Sequence, residues 1–134
     1  MIPGASMETN KPSILCVDDN EDNLELLEII FREKNFEVKS CNSIDNCLPL
    51  IYEGNFTAII LDNWFANKTS IEVCQQIRRF DPTIPIIYYS AEVRETEIVK
   101  ALQAGATAYL TKPCDFVNLT ETVNRYIQLT RFKV

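Results

Sequence analysis

The sequence predicts an α/β domain, a doubly wound parallel sheet of five strands with helices on both faces. Strand-like and helix-like patterns alternate five times between Ser13 and Thr130. The strand segments are nearly unbroken apolar runs, the pattern of strands covered on both sides rather than one. A chain of 134 residues with 46% apolar content matches the commonest domain size and can bury one core.

Each element has its own signal. Ile14 to Val17 is a short apolar run, followed by Leu24, Leu27, Ile30 and Phe31 at helical spacing. Phe36 to Cys41 alternates as a strand. Ile44, Cys47, Leu48, Ile51 and Tyr52 then mark one helical face before Gly54. Pro49 lies inside that stripe, where proline removes a hydrogen bond and costs about 3 kcal/mol, so this helix is expected to kink or begin late. Ala58 to Leu61 reads as a buried strand, and Ile71, Cys74 and Ile77 as a helix stopped by Asp81-Pro82. Ile84 to Tyr89 is rich in β-branched and aromatic residues, and Ile98, Ala101 and Leu102 follow on a helix that ends near Gly105. Ala108 to Leu110 is the last strand. Phe116, Leu119, Val123, Tyr126, Ile127 and Thr130 stripe the last helix. Right-handed crossovers leave few topologies for such a chain.

Composition narrows the function. The net charge of −6 argues against a nucleic-acid surface. The absence of histidine removes Ser-His and Cys-His catalysis, and the five cysteines contain no C-x-x-C pair, so the common zinc spacings are missing. An odd cysteine count without a signal peptide predicts reduced thiols in the cytoplasm, with Cys16 and Cys74 as small core residues. No apolar run approaches the roughly 18 to 20 residues of a membrane-spanning helix, so no membrane partner is expected. Residues 1–12 are polar, contain Gly4 and two prolines, and read as a flexible tail ahead of a domain over 13–134. Met7 is a candidate natural start, with Met1 to Ser6 as an added segment.

Four strand ends carry the chemistry. Asp18-Asp19, Asp62, Ser90 and Lys112-Pro113 each follow an apolar run, and the carboxyl ends of parallel strands form one ligand-binding edge. Magnesium takes hard oxygen ligands, so carboxylates from different strand ends make a reasonable half-site, and a cation relieves their mutual repulsion. Asp62 could then act as nucleophile toward a phosphoryl group whose charge is shared by the metal, Lys112 and the Ser90 hydroxyl. Phosphoryl transfer consists mostly of such positioning and charge stabilisation. Taken alone, each residue has a plainer reading: a strand-end Asp or Ser caps a helix, a Lys before proline is a surface charge, and Glu21 to Glu28 form a solvated helix face. Their joint occurrence, in order and each at a strand's carboxyl end, favours the site.

These residues sit in the stretches ILCVDDNEDNLELL (14 to 27), IILDNWF (59 to 65), IEVCQQIR (71 to 78), IPIIYYSA (84 to 91) and AGATAYLTKP (104 to 113). Through them, Ser13 to Thr130 resembles the receiver domain of two-component response regulators. The resemblance implies a flavodoxin-like fold with strand order 2-1-3-4-5. It implies Asp62 as the residue phosphorylated by a histidine kinase or histidine phosphotransfer protein, and Mg2+ held by Asp18, Asp19, Asp62 and the backbone carbonyl of Trp64. Ser90 and Lys112 would contact the phosphoryl group, Tyr109 would be the aromatic switch that rotates inward as Ser90 moves, and Lys112-Pro113 would be cis. The output face would comprise the fourth helix, fifth strand and fifth helix. Without the family, Tyr109 reads as a half-buried strand aromatic and Trp64 as cover for a loop.

Two positions depart from the family pattern. Ala66 and Ser70 replace a common proline and glycine after the phosphoacceptor, so the loop loses a rigid and a permissive turn. Thr69 and Glu72 can supply a capping box for the third helix instead. Three rival classes weigh less. A phosphorylation-independent scaffold of the same fold would more often lack one of the acidic, Ser or Lys groups. A haloacid-dehalogenase-like phosphatase wants Asp-x-Asp after the first strand, where Asn20 stands. In a flavin module, Asp18-Asp19 would repel the phosphate. The expectation is therefore a signalling phosphoacceptor rather than an enzyme with a turnover substrate, with self-catalysed phosphoryl transfer to Asp62 and hydrolysis from it. With no output domain before Val134, it acts by binding a downstream protein target, or belongs to a larger regulator or hybrid kinase. A phosphorylation-dependent homodimer is a further expectation.

Overall fold

The computed structural model describes residues 11–65, 68–113 and 116–131. The tail through Asn10, Ala66 and Cys114 lie outside them. Five parallel strands, β1 (Ser13–Val17), β2 (Glu37–Cys41), β3 (Ala58–Leu61), β4 (Ile86–Ser90) and β5 (Ala108–Thr111), form one sheet in the order β2-β1-β3-β4-β5. The helices α1 (Glu21–Glu33), α2 (Ile44–Glu53), α3 (Ile71–Phe80), α4 (Glu95–Ala104) and α5 (Phe116–Arg131) alternate with them. This is the doubly wound parallel sheet the sequence pattern predicts, in the flavodoxin-like strand order that the resemblance implies.

Strand side chains alternate between faces, and each face has its own core. Ile14, Cys16, Ile60, Ile87 and Tyr89 pack with Leu24, Leu27 and Phe31 of α1 and with Leu119, Val123 and Ile127 of α5. Leu15, Val17, Ile59, Leu61, Ile86 and Tyr88 pack with Cys47 and Ile51 of α2, Cys74 and Ile77 of α3, and Ala101 of α4. Both sides of β1, β3 and β4 are therefore covered, which is why those segments read as continuous apolar runs.

Helix ends follow local chemistry. The Asn20 side chain caps α1 by accepting from the Asn23 N–H, and Asn35 ends that helix at a positive φ of 68°, which asparagine tolerates. Gly105 closes α4 at φ 119°, where a Cβ would also collide with the Arg78 side chain. Arg78 stitches this end of the sheet together, donating to the carbonyls of Gly105, Asp81 and Ile84 and to the Thr107 hydroxyl.

Two local expectations change. The second helix starts at Ile44, with Pro49 on its exposed side, so there is no late start; exposure lets water serve the Asp45 carbonyl that Pro49 cannot. The capping box of Thr69 and Glu72 does not form either. Ser70 occupies the cap position of α3 without a side-chain cap bond, and its hydroxyl instead donates to Tyr88 Oη at 2.8 Å in the core. A buried hydroxyl gains more from that partner than from a cap exposed to water.

Candidate functional site

Sheet register gathers the four strand ends. Val17 pairs with Leu61, so Asp18 and Asp62 leave adjacent strands at the same level, and the Asp62 N–H bonds the Val17 carbonyl at 3.0 Å. Ser90 pairs with Thr111, which sets Lys112 beside it, and the Lys112 N–H bonds the Ser90 carbonyl at 2.8 Å. The sheet order reverses between β1 and β3, and in open α/β sheets this switch point, outside the carboxyl ends of the strands, is where ligands bind.

Asp18 is 3% exposed and fully engaged. Its Oδ1 accepts from the Asn20 N–H, and its Oδ2 accepts from Asn23 Nδ2 at 3.3 Å and Lys112 Nζ at 2.8 Å. Lys112 Nζ also reaches Asp62 Oδ2 at 3.4 Å. Asp19 is exposed beside them, and ligand atoms of Asp18, Asp19 and Asp62 lie within 4.8 Å of one another. Three carboxylates with no nitrogen or sulfur donor suit a hard divalent cation such as magnesium. The Lys112–Pro113 peptide is cis.

Burial, with the nearby Asp18 charge, pushes the Asp62 carboxyl above its ordinary pKa, against the Ser90 hydroxyl and Lys112 ammonium that pull it down. Burial opposes the Lys112 charge, yet its hydrogen bond to Asp18 and the Asp62 charge raise its pKa overall. The cluster is thus short of positive charge, and one ammonium holds it together. The Cys74 thiol, buried beneath the sheet, is pushed up to about 11 and is no competing nucleophile.

Trp64 and Phe65 pair antiparallel with Thr69 and Lys68 in a short ladder after β3. Trp64 is 36% exposed, and its Nε1–H donates to Glu92 Oε1 at 3.0 Å, joining the loops after β3 and β4. Bonds from Arg94 hold the Glu92 carboxyl down at about 2. Tyr109 is half-buried and stacked on Tyr88, with ring centroids 5.5 Å apart. Its hydroxyl donates to the Glu92 carbonyl at 2.9 Å and accepts from Asn63 Nδ2 at 3.3 Å.

The structure therefore brings Asp18, Asp19, Asp62, Ser90 and Lys112 to one edge, with Trp64 and Tyr109 alongside. Sequence reasoning missed three groups. Asn20 and Asn23 orient Asp18, and Asn63 is buried directly after Asp62. A polar residue continuing the apolar run of β3 was the available signal for Asn63. It did not reveal the partner, which lies 46 residues away.

The response regulator receiver domain family matches residues 14–124 of this chain. The nisin biosynthesis regulatory protein NisR of Lactococcus lactis is 33% identical over 115 residues, which span 86% of this chain and 50% of that protein. The transcriptional regulatory protein ZraR of Salmonella typhimurium is 32% identical over 125 residues, 93% of this chain and 28% of that protein. The chain thus spans half or less of the length of these relatives. In fold it is similar to a CheY-like response regulator receiver domain protein from Methanospirillum hungatei JF-1, with a TM-score of 0.87, 22% identity and coverage of 91% of this chain and 98% of that one. The ordered strand-end residues, their convergence at the sheet's switch point and the match over nearly the whole described chain lead to one assignment: the chain belongs to the response regulator receiver domain family.

Proposed function

We propose that this domain accepts a phosphoryl group on Asp62 from a histidine kinase or histidine phosphotransfer protein and passes the signal to a downstream protein. The observation that carries the reading is the placement of Asp62 at the end of β3, between two further carboxylates and Lys112. An Asp62 carboxylate oxygen attacks the phosphorus, the donor's P–N bond breaks, and the departing imidazole nitrogen takes a proton. Mg2+ held by Asp18, Asp19, Asp62 and the Trp64 carbonyl would supply positive charge to the phosphoryl oxygens. Lys112 and the Ser90 hydroxyl neutralise and orient the same group. In hydrolysis, water attacks phosphorus in line with the acyl oxygen, releasing inorganic phosphate and restoring the carboxylate.

Output is assigned to the face formed by α4, β5 and α5, where Val99 and Leu102 are 41% and 43% exposed and Tyr109 lies beneath. A phosphorylation-dependent homodimer through that face is one form of output. The cytoplasm is the compartment that the free buried thiols suit, and no described helix is long and apolar enough to cross a membrane. Intact mass after incubation with acetyl phosphate and magnesium tests the reading. Wild type gains one hydroxylamine-labile phosphoryl group and Asp62→Asn gains none there; labelling that survives the substitution refutes it, and no labelling of wild type favours the phosphorylation-independent scaffold.

A further inference from the structure

The ammonium that holds the acidic cluster together comes from the far side of the sheet. Lys112 follows β5 and Asp18 follows β1, three places apart in the strand order, and neighbouring strands lie about 4.8 Å apart, so about 14 Å separates the two backbones. Lys112 Nζ nevertheless meets Asp18 Oδ2 at 2.8 Å and Asp62 Oδ2 at 3.4 Å, so its side chain lies across the end of β4. Tyr89 is the next-to-last residue of that strand and pairs in register with Leu110. The Lys112 ammonium stands over its ring, 5.4 Å from the centroid.

A cation over an aromatic face is attracted from as far as about 6 Å, and the attraction strengthens as water is removed. Both partners here are withdrawn from water: Tyr89 is 7% exposed and the Lys112 side chain 17%. Tyr89 also fills the core between the sheet, α1 and α5. A leucine could fill that place, but only an aromatic face attracts an ammonium. Lys112 is therefore seated on two carboxylate oxygens and one ring face, and these supports respond differently to a divalent cation. A cation on Asp18, Asp19 and Asp62 neutralises the charge that holds the ammonium and repels it. The ring face has no net charge and offers such a cation no oxygen ligand, so its hold on Lys112 persists.

We propose that Tyr89 is a positioning residue whose ring keeps the Lys112 ammonium seated in the site when a divalent cation occupies the carboxylates. The proposal rests on the phosphoacceptor reading above. A lysine released to solvent must be ordered again before it can meet a phosphoryl group, and its rotamer freedom is among the most costly of any side chain to remove. Affinity for the phosphoryl group scales with the fraction of molecules in which Lys112 is already in place. Tyr89 raises that fraction, acting through Lys112 rather than on the phosphoryl group.

The test uses the full chain saturated with magnesium and beryllofluoride as phosphoryl mimic, with affinity read by calorimetry. A desolvated contact of this kind favours the seated ammonium by about fivefold to thirtyfold. Without the ring Lys112 is still seated part of the time, so Tyr89→Leu should bind about threefold to tenfold more weakly than wild type. Tyr89→Phe keeps the face and should stay within about twofold. Phenylalanine carrying one, two or three ring fluorines at position 89 keeps nearly the same size while draining negative potential from the face. Affinity should fall stepwise along that series, a trend that core filling does not produce, and the series guards against a Leu variant that folds poorly. The Lys112 methylene protons next to Nζ, identified by their loss in Lys112→Met, should keep an upfield ring-current shift in magnesium-loaded wild type and lose it in Tyr89→Leu. A flat fluorine series, or a ring-current shift that vanishes when wild type takes up magnesium, overturns the proposal while the phosphoacceptor reading stands. Failure of wild type to bind, or equal binding by Asp62→Asn, overturns both.

Discussion

Replacing Lys112 by methionine should destabilise the metal-free protein by about 2 to 4 kcal/mol at neutral pH. At an effective dielectric of 20 the ammonium gains about 6 kcal/mol from Asp18 at 2.8 Å and about 5 kcal/mol from Asp62 at 3.4 Å. Desolvation offsets most of this, because the three side chains are only 17%, 4% and 13% exposed. Methionine keeps the stem's packing but leaves the carboxylates facing one another. Breaking one side of a buried pair costs about 3 to 5 kcal/mol, and the residual exposure of Lys112 reduces that. Proton uptake limits the loss further. The Asp62 carboxyl is already pushed up by burial, and without the ammonium it rises more. A carboxyl whose folded pKa lies above its unfolded value leaves stability intact below the unfolded value and erodes it as pH rises through the folded one, so the deficit should shrink as pH falls from neutral toward the ordinary carboxylate range. Magnesium should also stabilise the variant more than wild type, because the cation replaces the missing charge. Urea denaturation at low salt, with and without magnesium and over a series of pH values from neutral downward, measures all three effects. A loss under about 1 kcal/mol, unchanged by magnesium and pH, would make Lys112 an ordinary surface charge and refute the reasoning.

Trp64 should report on the site: magnesium or beryllofluoride should change its fluorescence, and Asp19→Ala should greatly weaken the response. Because the Glu92 carboxyl is held at about 2, its ionised bond to Trp64 should persist as pH falls from neutral through the usual glutamate range, and fluorescence of the metal-free protein should show no titration with a Glu92→Gln-sensitive midpoint there. If the bridge between the two loops hinders the hydrolytic water, Trp64→Ala should lose its phosphoryl group faster than wild type; equal or slower decay would leave Trp64 with no timing role. Gly105→Ala should cost about 1 to 3 kcal/mol by urea denaturation, since it combines a positive φ with displacement of Arg78 from its four acceptors, and a neutral result would mean the turn relaxes freely.

What the sequence determined by itself was whatever depends on near neighbours. Apolar runs such as Ala58 to Leu61 specify strands buried on both faces, and the 3.6-residue stripes of α1 and α5 specify the helices against one side of the sheet. Because parallel strands share one carboxyl edge, the positions of Asp18, Asp62, Ser90 and Lys112 at strand ends were enough to place them together. Tertiary structure decided which partner each polar group takes. Thr69 and Glu72 carry the letters of a capping box, yet the turn forms with Ser70 at the cap position and its hydroxyl on Tyr88, because a core position leaves that hydroxyl no water. Pro49 reads as a helix breaker and is tolerated on an exposed face. Arg78 and Asn63 look like an ordinary helix cation and a loop amide. Only the folded chain turns the first toward the carbonyls of Gly105 and Ile84 and buries the second between Asp62 and Tyr109. Periodicity and strand-end position are encoded locally, whereas the pairing of buried donors and acceptors is settled by burial, which removes water as the alternative partner and leaves only what distant segments provide.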